Sequence, residues 1–495
     1  MRFERSSGIL LHITSLPGRY GIGTLGPEAF CFVDFLAAAG QTLWQILPLG
    51  PTGFADSPYQ CFSAFAGNPL LIGLEQLAQE GWLTERELRR LRAPDSSAVD
   101  YGRLFRLKFA VLRKAYHRFE ALADAKARRE LAAFGHEHEA WLNDYALFMA
   151  IKDHFGGKPW CKWPRDLRMR RRAALDRYAR RLAAGVGYYR FLQYQFFQQW
   201  SCVKAYANER GIRVIGDMPL YIAHDSADAW TRPRLFQIGA NGRPRAVGGY
   251  PPDSGLKTGQ LWGNPVYDWK RHETEGFIWW VERIRANLKL YDILRIDHFI
   301  GLSRFWAIPF GQKTAVRGRW RPAPGKKFLA ALRRELGPLP LIAEDLGALT
   351  PEIVRLRDRF RLPGMKILQY AFGGGGRNEY LPHAYPRECI VYTGTHDNDT
   401  MKGWWQHASR HERRFAAGYL NVARPAAWDF IRLAWLSPAL FAIVPLQDVL
   451  GLGSRARMNI FGTASGNWKW RCNAARLTHQ LATRLLKLTR ICGRD

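Results

Sequence analysis

The sequence predicts an α/β fold, a (β/α)8 TIM barrel, on three observations. The chain has 495 residues, of which 47% are hydrophobic and 23% charged, so it can bury a large core. Eight short apolar runs recur along it, separated by longer stretches of helical periodicity. Several of these runs end in a carboxylate, as expected where parallel strands open onto one functional face. A doubly wound sheet would give the same local pattern, so both topologies stay open at this point.

The predicted strands are rich in Ile, Leu and Val and are flanked by Gly or Pro, which is typical of strands buried on both faces. They cover residues 8–14, 43–49, 212–220, 291–299, 339–347, 365–372, 389–397 and 441–448.

Two intervals are too long for simple strand–helix units. Residues 71–205 carry helical patterns and predict a mostly helical insertion, whereas residues 221–290 are rich in Gly, Pro and Trp and show neither period. We expect the second interval to be a loop-rich insertion over the active site, since long ordered loops are usually functional. No repeat or low-complexity linker divides the chain, so residues 1–495 are predicted to form a single catalytic barrel domain.

Charge and cysteine content limit the possible environments. The formal net charge is +30, which favours anionic surfaces without specifying one. The seven cysteines form no CxxC pair, and their odd number argues against a disulfide framework. No apolar run reaches the ~18 residues of a membrane helix, and the N-terminal apolar stretch is too short and polar for a secretory signal. We therefore expect a soluble, reduced, cytoplasmic protein.

Four of the predicted strands end in a residue with a carboxylate side chain. These residues are Asp217, Asp297, Glu344 and Asp397, with Arg295, His298 and His396 beside them. A single such acid is as easily explained as a helix N-cap, but four acids on one barrel face indicate chemistry.

Clustered carboxylates suit either a hard metal ion or cleavage of a glycosidic bond. The second chemistry needs one ionised and one protonated carboxyl group. Arg295 and Asp297 are two residues apart on one strand and face the same way, so Arg295 should hold Asp297 ionised as a nucleophile. Glu344 follows a more apolar run and is the better proton donor, while Asp345 should face away.

Several segments resemble one family. RIDHF (295–299), IAEDLG (342–347) and TGTHDND (393–399) are similar to catalytic segments of the α-amylase clan. SPYQCFSAFAGNP (57–69), GDMPLYIAHDSADAW (216–230) and TGQLWGNPVYDW (258–269) narrow the resemblance to the amylomaltases, the 4-α-glucanotransferases of glycoside hydrolase family 77. GLGSRARMN (451–459) and GTASGNWKWR (462–471) also fit, so the likeness runs from about residue 6 to 475.

The resemblance implies a barrel with inserted subdomains and no C-terminal β-domain. It implies that Asp297 is the nucleophile, Glu344 the general acid/base and Asp397 the carboxylate that stabilises the transition state. It places Tyr59, Asp217, Arg295 and His396 around the sugar at the cleavage point. Further glucan contacts are implied for Gln260, Trp262 and Asn467.

The implied activity is a retaining transfer of α-1,4-glucan segments between maltodextrins, which releases glucose and longer or cyclic glucans. It needs neither cofactor nor metal, and its partners are neutral glucans rather than nucleic acid or membrane. Two alternatives remain. One is a hydrolase that passes the same intermediate to water, and the other is a glucan- or polyanion-binding protein whose catalysis has decayed. The +30 charge has no explanation in the proposed chemistry.

Four other signals are weaker. GIGTLG (21–26) lacks the strand entry and later acid of a dinucleotide site, and glycines 373–376 lack the Lys-Ser/Thr of a P-loop. GHEHEAW (135–141) is not a zinc motif, and we interpret it as solvent-exposed helix surface. The arginine-rich run 164–181 shows neither interleaved exposed aromatics nor a recognised nucleic-acid-binding module, which favours a solvated helix face over nucleic-acid binding.

The chain also departs from the family pattern. Ser254 and Gly255 stand where many relatives have an aromatic pair, glycines 373–376 stand where relatives often have an acid, and Phe461 stands where a Pro is usual. None of these is a catalytic acid, so the changes bear on subsite affinity and product size.

Overall fold

The computed structural model describes residues 3–93, 97–253 and 255–495. These residues form twelve strands: β1 (Ser6–Leu10), β2 (Leu43–Gln45), β3 (Arg213–Met218), β4 (Ala246–Tyr250), β5 (Gln260–Pro265), β6 (Ile293–Ile296), β7 (Arg304–Pro309), β8 (Arg319–Pro322), β9 (Leu341–Ala343), β10 (Gly364–Ile367), β11 (Cys389–Tyr392) and β12 (Phe441–Pro445).

Eight of these strands form one parallel sheet in the order β10-β11-β12-β1-β2-β3-β6-β9. Each strand overlaps one of the eight apolar runs that the sequence singles out, although β1 and β10 begin before their runs. The two edge strands of this sheet, β9 and β10, lie side by side. The Ala343 N–H donates to the Pro363 carbonyl at 2.9 Å, and the Met365 N–H donates to Asp345 at 2.8 Å. The barrel is therefore nearly closed, which confirms the (β/α)8 prediction over the doubly wound sheet.

Nineteen α-helices lie in the same described ranges. They are α1 (Pro27–Ala38), α2 (Leu74–Gln79), α3 (Glu85–Leu91), α4 (Tyr101–Leu122), α5 (Ala125–Glu137), α6 (Glu139–His154), α7 (Arg165–Arg168), α8 (Arg172–Arg181), α9 (Ala183–Glu209), α10 (Ala227–Thr231), α11 (Trp269–Thr274), α12 (Ile278–Leu290), α13 (Gly325–Leu336), α14 (Pro351–Arg359), α15 (Met401–His407), α16 (Arg410–Leu420), α17 (Ala427–Leu436), α18 (Leu446–Val449) and α19 (His479–Ile491).

Helices α2–α8 and most of α9 fill the interval 71–205. Their starts follow local capping rules. Thr84 and Glu87 form a capping box at α3, and Asp100 and Asp124 cap α4 and α5 through their carboxylates. Helix α9 has 27 residues and leads directly toward β3, so one long helix joins this helical layer to the barrel. No helix of the described residues is long and apolar enough to cross a membrane.

The interval 221–290 is more regular than its sequence indicates. It contains α10–α12 and two strands of a second, antiparallel sheet ordered β5-β4-β7-β8. The interval predicted to be loop-rich thus contains regular elements. The sequence pattern did not reveal β4 because this strand contains glycines, which strand patterns disfavour. A Cβ on Gly249 would lie 2.2 Å from the Gln260 carbonyl oxygen of β5, so the close strand pairing itself demands glycine.

Candidate active site

Four acids gather at the carboxyl end of the barrel, each positioned by a different strand. Asp217 lies within β3 and faces Arg295 of β6 in the sheet register. Asp297 follows β6 directly, Glu344 follows β9 directly, and Asp397 lies in the loop after β11. Because all eight strands run parallel, their ends bring these side chains to one face, as the sequence predicts.

Arg295 joins two of the acids through one nitrogen. Its Nη1 lies 2.6 and 2.7 Å from the two carboxylate oxygens of Asp217 and 3.0 Å from Asp297 Oδ1. The arginine and Asp217 are fully enclosed, whereas the Asp297 side chain keeps 27% of its surface exposed. Burial raises the pKa of Asp297 to about 6, and Arg295 opposes that rise. The guanidinium thus acts on Asp297 as predicted, but burial outweighs it.

Glu344 occupies a different environment. Its carboxylate accepts hydrogen bonds from the His298 N–H at 2.6 Å and the Leu346 N–H at 3.0 Å. Among the residues that the structure describes, no cationic side chain forms an ion pair with it. Burial raises the pKa of Glu344 well above its usual value, and the opposing effect of Arg295 is smaller. The neighbouring Asp345 faces away, where its Oδ2 pairs with Arg357 at 2.5 Å.

Asp397 is held by hydrogen-bond donors on two sides. Asn459 Nδ2 donates to its Oδ1 at 2.7 Å, and His396 Nε2 lies 3.3 Å from its Oδ2. Burial opposes ionisation, but His396 and Asn459 outweigh it and lower the pKa of Asp397. Burial lowers the pKa of His396, but the neighbouring Asp397 carboxylate raises it by more, so the pKa of His396 lies above its usual value. The pair is therefore built to keep a carboxylate charged.

Tyr59 links the Asp217–Arg295 pair to the His396–Asp397 pair. Its hydroxyl donates to Asp217 Oδ2 at 2.8 Å and lies 2.8 Å from His396 Nε2. Its ring stacks on the His396 imidazole with centroids 5.2 Å apart and packs at 5.7 Å against Trp468. The Tyr59 segment thus forms a wall of the site although it is about 160 residues from Asp217 in sequence.

Gln260, Trp262 and Asn467, the residues for which further glucan contacts were predicted, lie in two different places. Trp262 packs edge-on against His298 with centroids 4.8 Å apart, and its indole N–H donates to Gln260 at 3.0 Å, so this pair lies beside the Glu344 loop. Asn467 instead uses its amide within its own loop, accepting from the Ile460 N–H and donating to the Thr463 carbonyl, each at 3.0 Å. Its described contacts shape the 460–467 loop rather than touch the acids.

Sequence reasoning identified His396 but missed two other residues that hold Asp397, namely Arg457 and Asn459. Arg457 Nη2 donates to the Asp397 backbone carbonyl at 2.7 Å and its Nε to the Asn459 carbonyl at 2.7 Å. The SRARMN segment that carries both was recognised only as a family likeness. His12 was also missed, although it closes the first strand as the acids close theirs. It lines a cavity of about 20 Å³ with His396, and burial lowers the pKa of His12 to about 3.

Two of the positions that depart from the family pattern, Gly255 and Phe461, are exposed in the structure. Ser254 falls outside the described residues. Gly255 is exposed and its N–H donates to Asp253 Oδ1 at 2.9 Å. Phe461 is 44% exposed in the 460–467 loop. Within the described ranges, no group of three or more His, Cys, Asp and Glu side chains has the geometry of a metal site.

The chain is similar along nearly its whole length to proteins of one family. The family model described as 4-alpha-glucanotransferase, glycoside hydrolase family 77, matches residues 11–478. A 4-alpha-glucanotransferase from Synechocystis is 49% identical over 99% of this chain and 98% of its own length, and one from Thermus thermophilus is 48% identical over 98% of each. The solved amylomaltase from Streptococcus agalactiae, in complex with acarbose, superposes with a TM-score of 0.97 at 41% identity, covering 99% of this chain and all of its own. The chain therefore belongs to glycoside hydrolase family 77, the 4-alpha-glucanotransferases.

Proposed function

We propose that this enzyme transfers α-1,4-glucan segments between maltodextrins by a retaining double displacement. In the first step Asp297 attacks the anomeric carbon while Glu344 donates its proton to the glycosidic oxygen. The bond from that carbon to the leaving glucan breaks and a covalent glycosyl–enzyme forms. In the second step Glu344 removes the proton of an acceptor sugar hydroxyl, whose oxygen displaces Asp297 and restores the α-1,4 bond. Glu344 loses its proton to the leaving glucan in the first step and regains one from the acceptor in the second, so the full cycle restores its starting state.

The observation that carries this proposal is the unequal environment of the two carboxyl groups. Glu344 is buried, and no cationic side chain of the described residues pairs with it, so its pKa is raised and its protonated form is favoured. Asp297 keeps an open edge and contacts Arg295, which favours its anion above pH 6. Environments that push two carboxyl groups apart in pKa are the mark of an acid paired with a nucleophile.

Asp397 completes the proposed chemistry. Its lowered pKa keeps it ionised beside His396, so it can accept hydrogen bonds from ring hydroxyls and stabilise positive charge developing on the sugar. Tyr59 and Asp217 close the site around the same sugar. The Streptococcus agalactiae relative was solved with acarbose bound, which supports a maltodextrin-like occupant here. We propose glucose and longer or cyclic glucans as products.

Incubation with maltotriose tests this proposal. Glucose together with a ladder of longer maltodextrins, at a constant number of reducing ends, is the expected result. A rise in reducing ends with glucose and maltose as final products would show hydrolysis instead. Unchanged maltotriose would show a binding protein without catalysis. Anomer analysis of the first products by proton NMR distinguishes retention from inversion.

A further inference from the structure

A large cavity opens away from the catalytic acids, between the helical insertion and the barrel. It has a volume of about 660 Å³ and is enclosed by α5, α6 and α9 on one side and α10, α12 and residues 63–65 on the other. This volume lies within the ~300–1,000 Å³ typical of small-molecule sites. None of Asp297, Glu344 or Asp397 lines it. The cavity therefore belongs to a different part of the molecule from the site described above.

One wall of the cavity is aromatic. Trp141 packs on Phe197 with centroids 5.8 Å apart, and Phe65 lies parallel to Trp141 at 6.3 Å and edge-on to Trp279 at 6.4 Å. Trp141, Phe197 and Phe65 are only half-buried. Their exposed ring faces offer flat apolar surface at a concave site.

The interpretation of residues 135–141 as solvent-exposed helix surface is wrong in part, because some of these side chains line the cavity. The His136 side chain is 84% exposed, but that of His138 is only 14% exposed. His138 and Trp141 turn inward and line this cavity. The segment ends α5 and begins α6, so the break between two helices sets the direction of both rings.

The rim of the cavity is charged but balanced. Four acids and four bases line it: Glu137, Asp144, Asp228, Glu282, Lys204, Arg232, Arg285 and Lys289. Lys289 pairs with Glu137 at 3.0 Å, and Arg232 pairs with Glu282 at 3.3 Å. This balance contrasts with the +30 charge of the whole chain. A rim of this kind offers many hydrogen-bond donors and acceptors without attracting an anion.

We propose that this cavity is a second binding site for a short α-1,4-glucan. A glucose ring has an apolar face that can lie on Trp141 or Phe197 and a rim of hydroxyls that can bond to carboxylate and guanidinium groups. The neutral balance selects an uncharged polyhydroxyl ligand over a phosphorylated one. The choice of glucan rests on the proposed function, since that function makes maltodextrins the molecules at hand.

The proposed second site and the catalytic site lie on opposite sides of one segment, residues 59–65. Ser63 and Phe65 line the large cavity and also a smaller one of about 50 Å³, which Tyr59 and Asp217 border. Asp228, on the rim, accepts the Ala64 N–H at 2.8 Å and fixes this segment. A glucan in the cavity therefore contacts the far side of the segment that carries Tyr59.

Filling the cavity tests the proposal. Ser201 is exposed on α9 and lines the cavity, while the adjacent Cys202 is exposed and does not, so Ser201→Trp fills the space and Cys202→Trp is its matched control. Isothermal titration with maltotetraose is done in a Glu344→Gln background to slow turnover. We expect the number of maltotetraose molecules bound per chain to fall by one in Ser201→Trp and to stay unchanged in Cys202→Trp. With Glu344 intact, Ser201→Trp should retain transfer on maltotriose.

Equal binding numbers in the two tryptophan variants would overturn the proposal, as would inorganic phosphate binding to the cavity in preference to maltotetraose. If Ser201→Trp does not fold, Ala140→Trp fills the same space from the exposed start of α6. Failure of the proposed catalytic mechanism can be distinguished from failure of the proposed second site. Rapid consumption of maltotetraose by the Glu344→Gln protein, seen by chromatography, would refute the role of Glu344, whereas the difference between the two tryptophan variants reports on the cavity alone.

Discussion

Arg295 Nη1 lies 3.0 Å from Asp297 Oδ1 and closer still to both oxygens of Asp217. The guanidinium is therefore shared, with its main pairing directed to a fully buried acid and its weaker one to the acid that keeps an open edge. Asp217 is held in place by this pairing and by Tyr59, while Asp297 is free to exchange a contact with Arg295 for a bond to substrate. This asymmetry underlies the first two predictions.

Removal of either proposed reacting group should abolish most transfer while leaving the fold intact. Asp297→Ala eliminates the nucleophile, and Glu344→Gln eliminates the proton donor, whose help alone is worth roughly 10²–10⁴-fold. Rates with maltotriose and circular dichroism spectra of both variants check this. Substantial transfer by folded Asp297→Ala would remove Asp297 from the nucleophile role. Arg355→Ala, an exposed change on α14, is the matched control and should keep full activity.

The pH dependence should have an acid limb set by Asp297. The nucleophile must be ionised, and its pKa is raised to about 6, so the reactive fraction falls as the pH falls through that value. We expect kcat/KM to decline about tenfold per pH unit below the limb. Burial also raises the pKa of Glu344, so the alkaline limb is expected well above the usual pKa of a glutamic acid. A profile flat down to pH 4.5, in protein shown to be folded there, would contradict this assignment.

Asn459 should act as a positioning residue for Asp397. Asn459→Ala removes the 2.7 Å hydrogen bond to a charged group, which is worth about 1.5–3 kcal/mol, or roughly 10–100-fold in rate. The loss should appear mainly in kcat, because Asp397 is proposed to act on the transition state. The pKa of Asp397 should also rise toward its usual value, while the acid limb stays with Asp297. A change in KM alone, with kcat intact, would show that Asn459 only shapes the loop.

Restoring the aromatic pair at residues 254 and 255 should reduce hydrolytic leakage. Rings beside a glucan exclude water from a reactive glycosyl–enzyme, whereas Gly255 is exposed and adds backbone freedom. Ser254→Tyr with Gly255→Phe is expected to lower the ratio of hydrolysis to transfer on amylose and to tighten amylose binding. Transfer among short maltodextrins should change little. An unchanged ratio and affinity would mean that this loop does not close over the donor.

Activity should be insensitive to chelation. Each of the four acids has a proposed role in sugar chemistry, in which no metal takes part. Equal rates with maltotriose before and after dialysis against EDTA are expected. Complete loss, recovered by added Mg²⁺ or Ca²⁺, would instead favour the metal-binding interpretation of the carboxylate cluster.

The sequence was sufficient for the barrel and for the four acids because both depend on local features. Apolar runs of strand length mark the eight strands, and the parallel arrangement then determines that residues at their ends, such as Asp297 and Glu344, meet at one face. The interval 221–290 was harder, because β4 depends on glycines that avoid a clash with β5, and no periodicity records that need.

Tertiary structure decided what the sequence pattern left open. Which acid is protonated depends on burial, and burial is set by all the elements packed around Glu344 rather than by its neighbours in sequence. The hydrogen bond from Asn459 to Asp397 joins residues 62 positions apart, and Trp141 packs on Phe65 and on Phe197 of α9, which are also distant in sequence. Periodicity and strand-end residues fix which groups reach a face of the barrel, but their distances and charge states arise only when distant segments pack together.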